Sequence, residues 1–202
     1  MKKVVFALVF FCSLFASQAE AQVSFRPGLK GGLNFSHFTK GDNYYYTYDG
    51  EYIDGNTKDF SSKTDFYVTM FGALKLSKYY TLQPEISYTR QGSNYEYTAS
   101  NGRRVNQKLD ISYLSLALAN KFTFKKFNIH VGPTIDFVVD NNFDYDSSVD
   151  LAFFLGAGYD ITKNFAIEAR IKKGIVPVLD YSSSNHTNVV FQTGVAYTFD
   201  VK

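Results

Sequence analysis

The sequence has 202 residues but only one cysteine, Cys12, and no tryptophan. Cys12 lies in the apolar N-terminal segment, so the rest of the chain contains no thiol. A disulfide framework, a cysteine-bound metal site and a thiol nucleophile are therefore excluded for that part of the chain. Cys12 is not preceded by the small residues of a lipoprotein cleavage box, and a lipid anchor is not expected.

Long apolar runs are also scarce. The only one extends from Val4 to Ala16, follows Lys2 and Lys3, and precedes small residues that form an A-x-A pattern. This run is shorter than the ~20 apolar residues that a spanning helix needs. The pattern predicts a cleaved signal peptide over residues 1–21 and a mature domain over residues 22–202.

Neither sign of charge dominates, with 21 Lys and Arg against 19 Asp and Glu. Without residues 1–21 the chain is close to neutral, which argues against binding of nucleic acid. What the sequence does have is 20 phenylalanines and 16 tyrosines. Because aromatic residues favour strands, the composition points to a single β domain.

Alternation of apolar and polar residues recurs in segments of about ten residues, the length of a tilted membrane-spanning strand. It predicts eight strands: Phe25–Phe38, Thr64–Leu76, Tyr80–Gln91, Lys108–Lys121, Phe127–Val139, Asp150–Ile161, Phe165–Ile175 and Val189–Phe199. Short connections at 77–79, 122–126 and 162–164 alternate with long polar ones at 39–63, 92–107, 140–149 and 176–188. Outer-membrane barrels have short periplasmic turns and long extracellular loops. The prediction is an all-β fold, an eight-stranded antiparallel up-and-down transmembrane barrel.

The two faces of the strands differ in a way that indicates which one meets lipid. In "TLQPEISYTRQG", Leu82, Pro84, Ile86 and Tyr88 alternate with polar residues that include Glu85. Aromatic residues cluster at the strand ends next to the short connections, as in an interfacial girdle. The apolar face is therefore predicted to face lipid, and the polar face to face the lumen. Pro84 is expected near the periplasmic rim or at a bulge, because it cannot donate a ladder hydrogen bond.

Charged residues on the predicted lumen face form a candidate network. Its members are Lys30, Glu85, Asp136, Glu168, Arg170 and Lys172. We expect Arg170, Lys172 or Lys30 to balance Glu85. Since an eight-stranded barrel is just wide enough inside for side chains, a plug of ion pairs is favoured over a channel.

Several segments resemble a known family. These are "GLKGGLNFS" (28–36), "LQPEISYTRQG" (82–92), "YLSLALANKF" (113–122), "VGPTIDF" (131–137) and "LGAGYDI" (155–161). They are similar to the PorT-like outer-membrane β-barrel proteins of Bacteroidetes, over nearly all of the predicted mature chain. One departure is Ser115-Leu116-Ala117, where the family often has a glutamate and a proline. The resemblance implies an eight-stranded barrel in the cell outer membrane and implies no shared enzymatic activity.

Three patterns that could carry chemistry are weak. The glycine clusters at 31–32 and 156–158 do not precede a helix, so a phosphate site is not expected. The acidic loop "DNNFDYDSSVD" lacks the glycine and glutamate that a calcium loop needs, and it is interpreted as solvated. "DYSSSNH" groups Asp180, Ser182–Ser184 and His186, but a serine-rich loop is a poor scaffold for a triad. No catalytic residue, metal or cofactor is predicted.

The first long loop favours a binding role. It holds Tyr44, Tyr45, Tyr46, Tyr48 and Tyr52 among acidic residues, and tyrosine gives large contact area at low entropy cost. The prediction is a non-enzymatic structural, binding or adhesion protein that acts through its loops on an extracellular protein or glycan. Outer-membrane lipid and the barrel-assembly machinery are its other expected partners. The alternatives are a small channel or a lipid-modifying outer-membrane enzyme.

Overall fold

The structure, a computed structural model, describes residues 23–39, 44–46, 52–54, 59–98, 102–143, 147–176, 179–180 and 185–201. The twelve strands in these ranges are β1 (Ser24–Phe38), β2 (Tyr44–Tyr46), β3 (Tyr52–Asp54), β4 (Asp59–Lys75), β5 (Tyr80–Thr98), β6 (Arg104–Phe124), β7 (Phe127–Asn141), β8 (Val149–Asp160), β9 (Phe165–Gly174), β10 (Leu179–Asp180), β11 (Asn185–His186) and β12 (Asn188–Thr198). Within the described residues, no helix has the length and hydropathy required to span a bilayer.

Eight of the described strands form a closed antiparallel barrel in the order β1-β12-β9-β8-β7-β6-β5-β4. The ring closes where β1 pairs with β12, from Gly28 opposite Thr198 to Phe38 opposite Asn188. Two separate hairpins, β2–β3 and β10–β11, belong to connections at the opposite end from the short turns. The predicted eight-stranded fold is confirmed.

Glycines on β1 and β12 leave room for two aromatic rings next to the β1–β12 pairing that closes the barrel. A Cβ on Gly28 would lie 2.2 Å from the ring of Phe71, and one on Gly194 would lie 2.6 Å from the hydroxyl of Tyr67. Both distances are far shorter than a van der Waals contact. The rings of β4 therefore occupy space inside the barrel that side chains at these positions would otherwise take.

The assignment of the two faces agrees with the burial pattern. On β7, side chains alternate without interruption from exposed Phe127 to exposed Phe137, with buried residues between them. Leu116 is 42% exposed and Ile86 is 52% exposed, while Gln83 and Glu85 are buried. Since the exposed face is apolar and the interior is polar, the barrel shows the reverse of the arrangement in a soluble protein.

Pro84 lies five positions into β5, close to the short-turn end, as predicted. The β4–β5 ladder has no paired residues between Phe71 opposite Glu85 and Leu74 opposite Leu82. This gap fits the missing N–H of proline. On its other side Pro84 still pairs with Leu118 of β6.

The predicted loop over 92–107 is wrong for most of its length. Strands β5 and β6 continue their pairing from Tyr80 opposite Phe122 to Thr98 opposite Arg104. Gly92 has φ +145°, a backbone conformation in which a side chain would be strained, and there the hydroxyl of Ser36 bonds to both its N–H and its C=O. The glycine that looked like the start of a loop is a distortion inside a continuous strand.

The other predicted loops contain shorter strands. The segment 39–63 holds the β2–β3 hairpin and the first residues of β4, and 176–188 holds the β10–β11 hairpin. The predicted turn over 122–126 narrows to Lys125 and Lys126, because Phe122 to Phe124 belong to β6. Lys125 has a positive φ of 58°, which a two-residue hairpin turn requires.

Candidate functional site

All six charged residues predicted for the lumen have buried side chains inside the barrel. Their exposed fractions lie between 1% for Asp136 and 8% for Arg170. They come from β1, β5, β7 and β9, which the closed ring brings around one interior. Burial of charges at this level requires pairing and hydrogen bonds, and the structure provides both.

Glu85 is the centre of the first cluster. Its Oε1 accepts hydrogen bonds from Lys30 Nζ at 2.6 Å and from Arg170 Nη2 at 3.2 Å, and its Oε2 accepts one from Arg170 Nη1 at 2.9 Å. Gln83 Nε2 donates a further bond to Oε1 at 2.9 Å. The guanidinium therefore binds the carboxylate with both arms, a geometry that favours arginine over lysine at this position.

Glu168 links a second layer to the first. Its Oε1 accepts a hydrogen bond from Lys121 Nζ at 2.8 Å, while its Oε2 lies 3.6 Å from Lys30 Nζ and 3.7 Å from Arg170 Nη2. Lys121 is absent from the network predicted from the sequence. Its place on the polar side of β6, in alternation with the leucines, is the signal that could have identified it.

Lys172 belongs to a separate cluster. Its Nζ donates to Asp136 Oδ2 at 2.6 Å and lies 5.9 Å from the centre of the Tyr113 ring. Of the three alternative partners expected for Glu85, Lys30 and Arg170 bind it, whereas Lys172 lies higher in the barrel and on the β7 side. Asp150, which pairs across β7 and β8 with Asp136, is also buried and was not predicted.

A layer of uncharged polar side chains lies above the ion pairs. Asn34 Nδ2 donates to Thr89 Oγ1 at 2.7 Å and to the carbonyl of Arg90 at 2.8 Å. Gln192 Nε2 donates to Asn34 Oδ1 at 2.9 Å, and Asn188 Nδ2 to Gln91 Oε1. These bonds join β12, β1 and β5 inside the lumen at a second level.

An apolar cap fills the lumen at the end away from the short turns. We use this name for Phe38, Leu109, Ile111 and Tyr113 with their neighbours Val138 and Phe143. Phe38, Ile111 and Tyr113 are each 1% exposed, and the rings of Phe38 and Phe143 meet edge to face. The cap was not predicted, although Phe38, Leu109, Ile111 and Tyr113 lie within predicted strands, because the lumen face was expected to be polar along its whole length.

The opposite end of the lumen is open. A cavity of about 360 Å³, which we call the vestibule, lies among the short turns and the strand ends beside them. Asp200 is located near its rim, and a hydrogen bond from Lys163 lowers the pKa of its carboxyl group. Exposed rings surround this end on the outside, among them Phe124, Phe127 and Phe165. Their position agrees with the predicted interfacial girdle.

The predicted recognition tyrosines are only partly within the described ranges. Tyr44, Tyr45 and Tyr46 form β2, and Tyr52 begins β3. Tyr48 lies outside the described residues, as do Ser182, Ser183 and Ser184 of the serine-rich loop. In the part of the chain that the structure describes, no three His, Cys, Asp or Glu residues are grouped as a metal would need.

The sequence pattern of the outer membrane protein beta-barrel domain family matches residues 15–180. The match covers most of the chain, and the protein belongs to this family, which places it in the cell outer membrane. No curated protein matches the sequence at a significant level.

The fold is similar to several solved outer-membrane proteins. OprG from Pseudomonas aeruginosa is 13% identical over 89% of this chain and 98% of its own, with a TM-score of 0.49. Ail, the attachment invasion locus protein of Yersinia pestis, solved with the heparin analogue sucrose octasulfate, is 13% identical over 87% and 99%, with a TM-score of 0.47. Neisserial surface protein A is 12% identical over 86% and 97%, with a TM-score of 0.47.

Proposed function

We propose that the protein is a non-enzymatic outer-membrane scaffold, in which a sealed barrel holds extracellular hairpins that bind a protein or a glycan. The observation that carries this proposal is the cluster of Lys30, Glu85 and Arg170 in the lumen. Each of these residues is at most 8% exposed, and their hydrogen bonds join β1, β5 and β9. With ion pairs inside and lipid outside, the surfaces left for recognition are the two ends.

The extracellular end supports a binding role through its shape. The β5–β6 hairpin continues its pairing to Thr98 and Arg104, whereas the β8–β9 pairing begins at Ala152 opposite Gly174. The extracellular rim of the barrel is therefore high at β5 and β6 and low at β8 and β9. Rigid scaffolds commonly carry specificity on the segments between their strands. The β2–β3 hairpin, rich in tyrosine, lies in the connection between β1 and β4 and is the proposed recognition element, together with Tyr95 and Tyr97 of β5.

We also propose membership of the PorT-like group of Bacteroidetes, on the strength of the segments 82–92, 113–122 and 131–137. In this proposal the partners are outer-membrane lipid, the barrel-assembly machinery during insertion, and an extracellular protein or glycan. No cofactor is involved. The predicted signal peptide over residues 1–21 fits export of the domain, and its cleavage remains to be tested by N-terminal sequencing of the mature protein.

The β2–β3 hairpin offers a clean test, since its two ends are cross-strand partners. Tyr44 pairs with Asp54, and paired residues in an antiparallel hairpin lie about 5 Å apart. Replacement of 44–54 by Gly-Gly should therefore leave the barrel intact, with unchanged heat-modifiable gel mobility. We expect this variant to lose binding on a glycan array and to lose crosslinked partners on intact cells.

The β10–β11 hairpin provides the matched control, because Leu179 pairs with His186 in the same way. Replacement of 179–186 by Gly-Gly makes an equivalent deletion at the same end and removes a single tyrosine. The control should bind as the wild type does. If the 44–54 variant keeps the full set of ligands, or if lipid hydrolysis is present and disappears with 179–186, the proposed function fails.

A further inference from the structure

The vestibule is lined by far more basic than acidic side chains. Its basic residues are Arg26, Lys75, Lys78, Lys121, Lys125 and Lys163, and its only acidic residue within the described chain is Asp160. Each of the short turns contributes at least one of these cations. Above the vestibule, the hydrogen bond between Lys121 and Glu168 forms the boundary with the ion pairs of the lumen.

Half of these cations have no ion-pair partner among the described residues. Lys121 shares the carboxylate of Glu168 with Lys30 and Arg170. Asp200 forms ion pairs with both Arg26 at 2.8 Å and Lys163 at 2.9 Å. No described acid forms an ion pair with Lys75, Lys78 or Lys125. Lys78 Nζ lies over an aromatic ring, 5.3 Å from the centre of Tyr79.

This excess of positive charge in a concave opening should attract anions. Walls of low dielectric constant concentrate the field, so an anion at the mouth experiences several lysines together. Amides next to two of the three turns are already occupied, since Tyr80 N–H donates to Ser77 Oγ and Phe165 N–H to Thr162 Oγ1. The charged donors free for a ligand are the lysine ammonium groups, which bind phosphate as point charges.

We propose that the vestibule is a binding site for phosphate-bearing anions that enter from the periplasmic side. Lys75, Lys78 and Lys125 supply the charge at the mouth, and Lys121 supplies it at the inner boundary. A cavity of about 360 Å³ holds a small phosphate ester. The phosphate belongs either to a soluble ester or to the headgroup of an inner-leaflet phospholipid, because Lys78 and Tyr79 lie at the level of the aromatic girdle.

The proposal is tested with the full barrel in nanodiscs of neutral phosphatidylcholine. In one arm, sn-glycerol 3-phosphate is titrated while the methyl resonances of Thr81, Thr123 and Thr198, which line the vestibule, are followed by NMR. In the other arm, phosphatidylglycerol replaces part of the lipid without any soluble ester. We expect shifts in at least one arm that weaken as salt is raised.

The decisive variant changes Lys75, Lys78 and Lys125 to glutamine. The control changes Arg104, Lys108 and Lys173 to glutamine, three exposed basic residues that lie away from the vestibule lining, so the two proteins have the same net charge. The vestibule variant should lose affinity by about tenfold or more, while the control stays within about twofold.

Each outcome has one meaning. Shifts with the soluble ester that the vestibule variant alone abolishes support the proposal with a soluble ligand. Shifts confined to phosphatidylglycerol nanodiscs, again abolished by that variant, support it with a lipid headgroup. Equal responses in the two variants, or no shift of the wild-type threonines in either arm, would overturn it. None of these results depends on the extracellular hairpins, so the proposed function is tested separately.

Discussion

The lower and upper parts of the barrel interior are filled in opposite ways. Around Glu85 the lumen holds ion pairs, whereas at the apolar cap it holds Phe38, Ile111 and Tyr113. Strand β6 crosses both regions. In the lower region, its leucines at 114, 116 and 118 are exposed and alternate with the lumen residues Ser115 and Ala119. In the upper region, away from the short turns, the pattern is opposite: Leu109 and Ile111 are buried and Lys108 is exposed.

The solvent outside the barrel explains this reversal. Where the strand crosses the bilayer, its outer face meets hydrocarbon and must be apolar, which leaves the polar residues for the lumen. Above the bilayer, the outer face meets water and can be polar, so the interior gains from apolar burial as in a soluble protein. The change coincides with a bulge, where Ser112 pairs with Asp140 and Tyr113 with Val138, leaving Val139 as the extra residue of β7.

The two regions should respond differently to substitution. A buried ion cluster is sensitive to the loss of one member, since the remaining charges are left without a partner. An apolar cap is sensitive to volume, because each missing methyl group leaves a space. Substitutions in the ion pairs and in the cap therefore separate the two kinds of filling by the size of their effects.

The largest effect is expected at the ion pairs. Glu85→Ala removes the carboxylate that binds Lys30 and Arg170 and should lower the free energy of unfolding by about 3–5 kcal/mol. The measurement is the urea midpoint in lipid vesicles, with Ser87→Ala on the same strand as the control. Planar-bilayer recordings of both proteins should show no stable conductance, because the polar layer and the cap still fill the lumen. A large, stable conductance in the wild type would refute a sealed barrel and support the channel alternative.

The next effect concerns the outer face in the two regions. Leu116→Arg exposes a cation to the hydrocarbon and should cost about 2–4 kcal/mol near the bilayer midplane. Ser62→Arg, on the exposed part of β4 beyond the bilayer, should change stability by no more than about 0.5 kcal/mol. Insertion into vesicles and the urea midpoint provide the comparison. Equal losses in the two variants would mean that the boundary between the regions is misplaced.

The smallest effect is expected in the apolar cap. Ile111→Val deletes one methylene group from a residue that is 1% exposed, and it should destabilise the barrel by about 0.5–1.5 kcal/mol. Ile135→Val makes the same change at a lipid-facing position that is 40% exposed. There the acyl chains can fill the space, so the loss should be smaller. A greater loss at Ile135 than at Ile111 would contradict the assignment of Ile111 to a packed interior.

Strand positions inside the bilayer follow well from the sequence, since lipid on one side makes the alternation strict. The predicted strand Phe25–Phe38 differs from β1 by one residue, and Val189–Phe199 is shifted by one from β12. Most of the misassigned residues lie above the bilayer, where water lifts that constraint and Asn, Ser and Gly are as compatible with a strand as with a loop. Residues 92–98 and 104–107 were assigned to a loop for this reason.

Within the candidate site, alternation together with the aromatic residues at the short-turn end was enough to place six charged residues in the lumen: Lys30, Glu85, Asp136, Glu168, Arg170 and Lys172. It could not decide which charges pair, because a lumen partner is set by the height of each residue and by the order of strands around the ring. Lys172 pairs with Asp136, and Lys121 joins Glu168 across the barrel. Those contacts depend on the registers between neighbouring strands.

The sequence by itself determined that this chain forms a barrel with an apolar exterior, because a period of two and alternating connection lengths are local properties of the chain. Only the tertiary structure decided how the interior is closed. The bidentate contact of Arg170 with Glu85, the cap around Phe38 and the lysines around the vestibule each join residues far apart in the sequence. They meet because ring closure and strand register bring distant strands to the same height, and no local pattern encodes that distance.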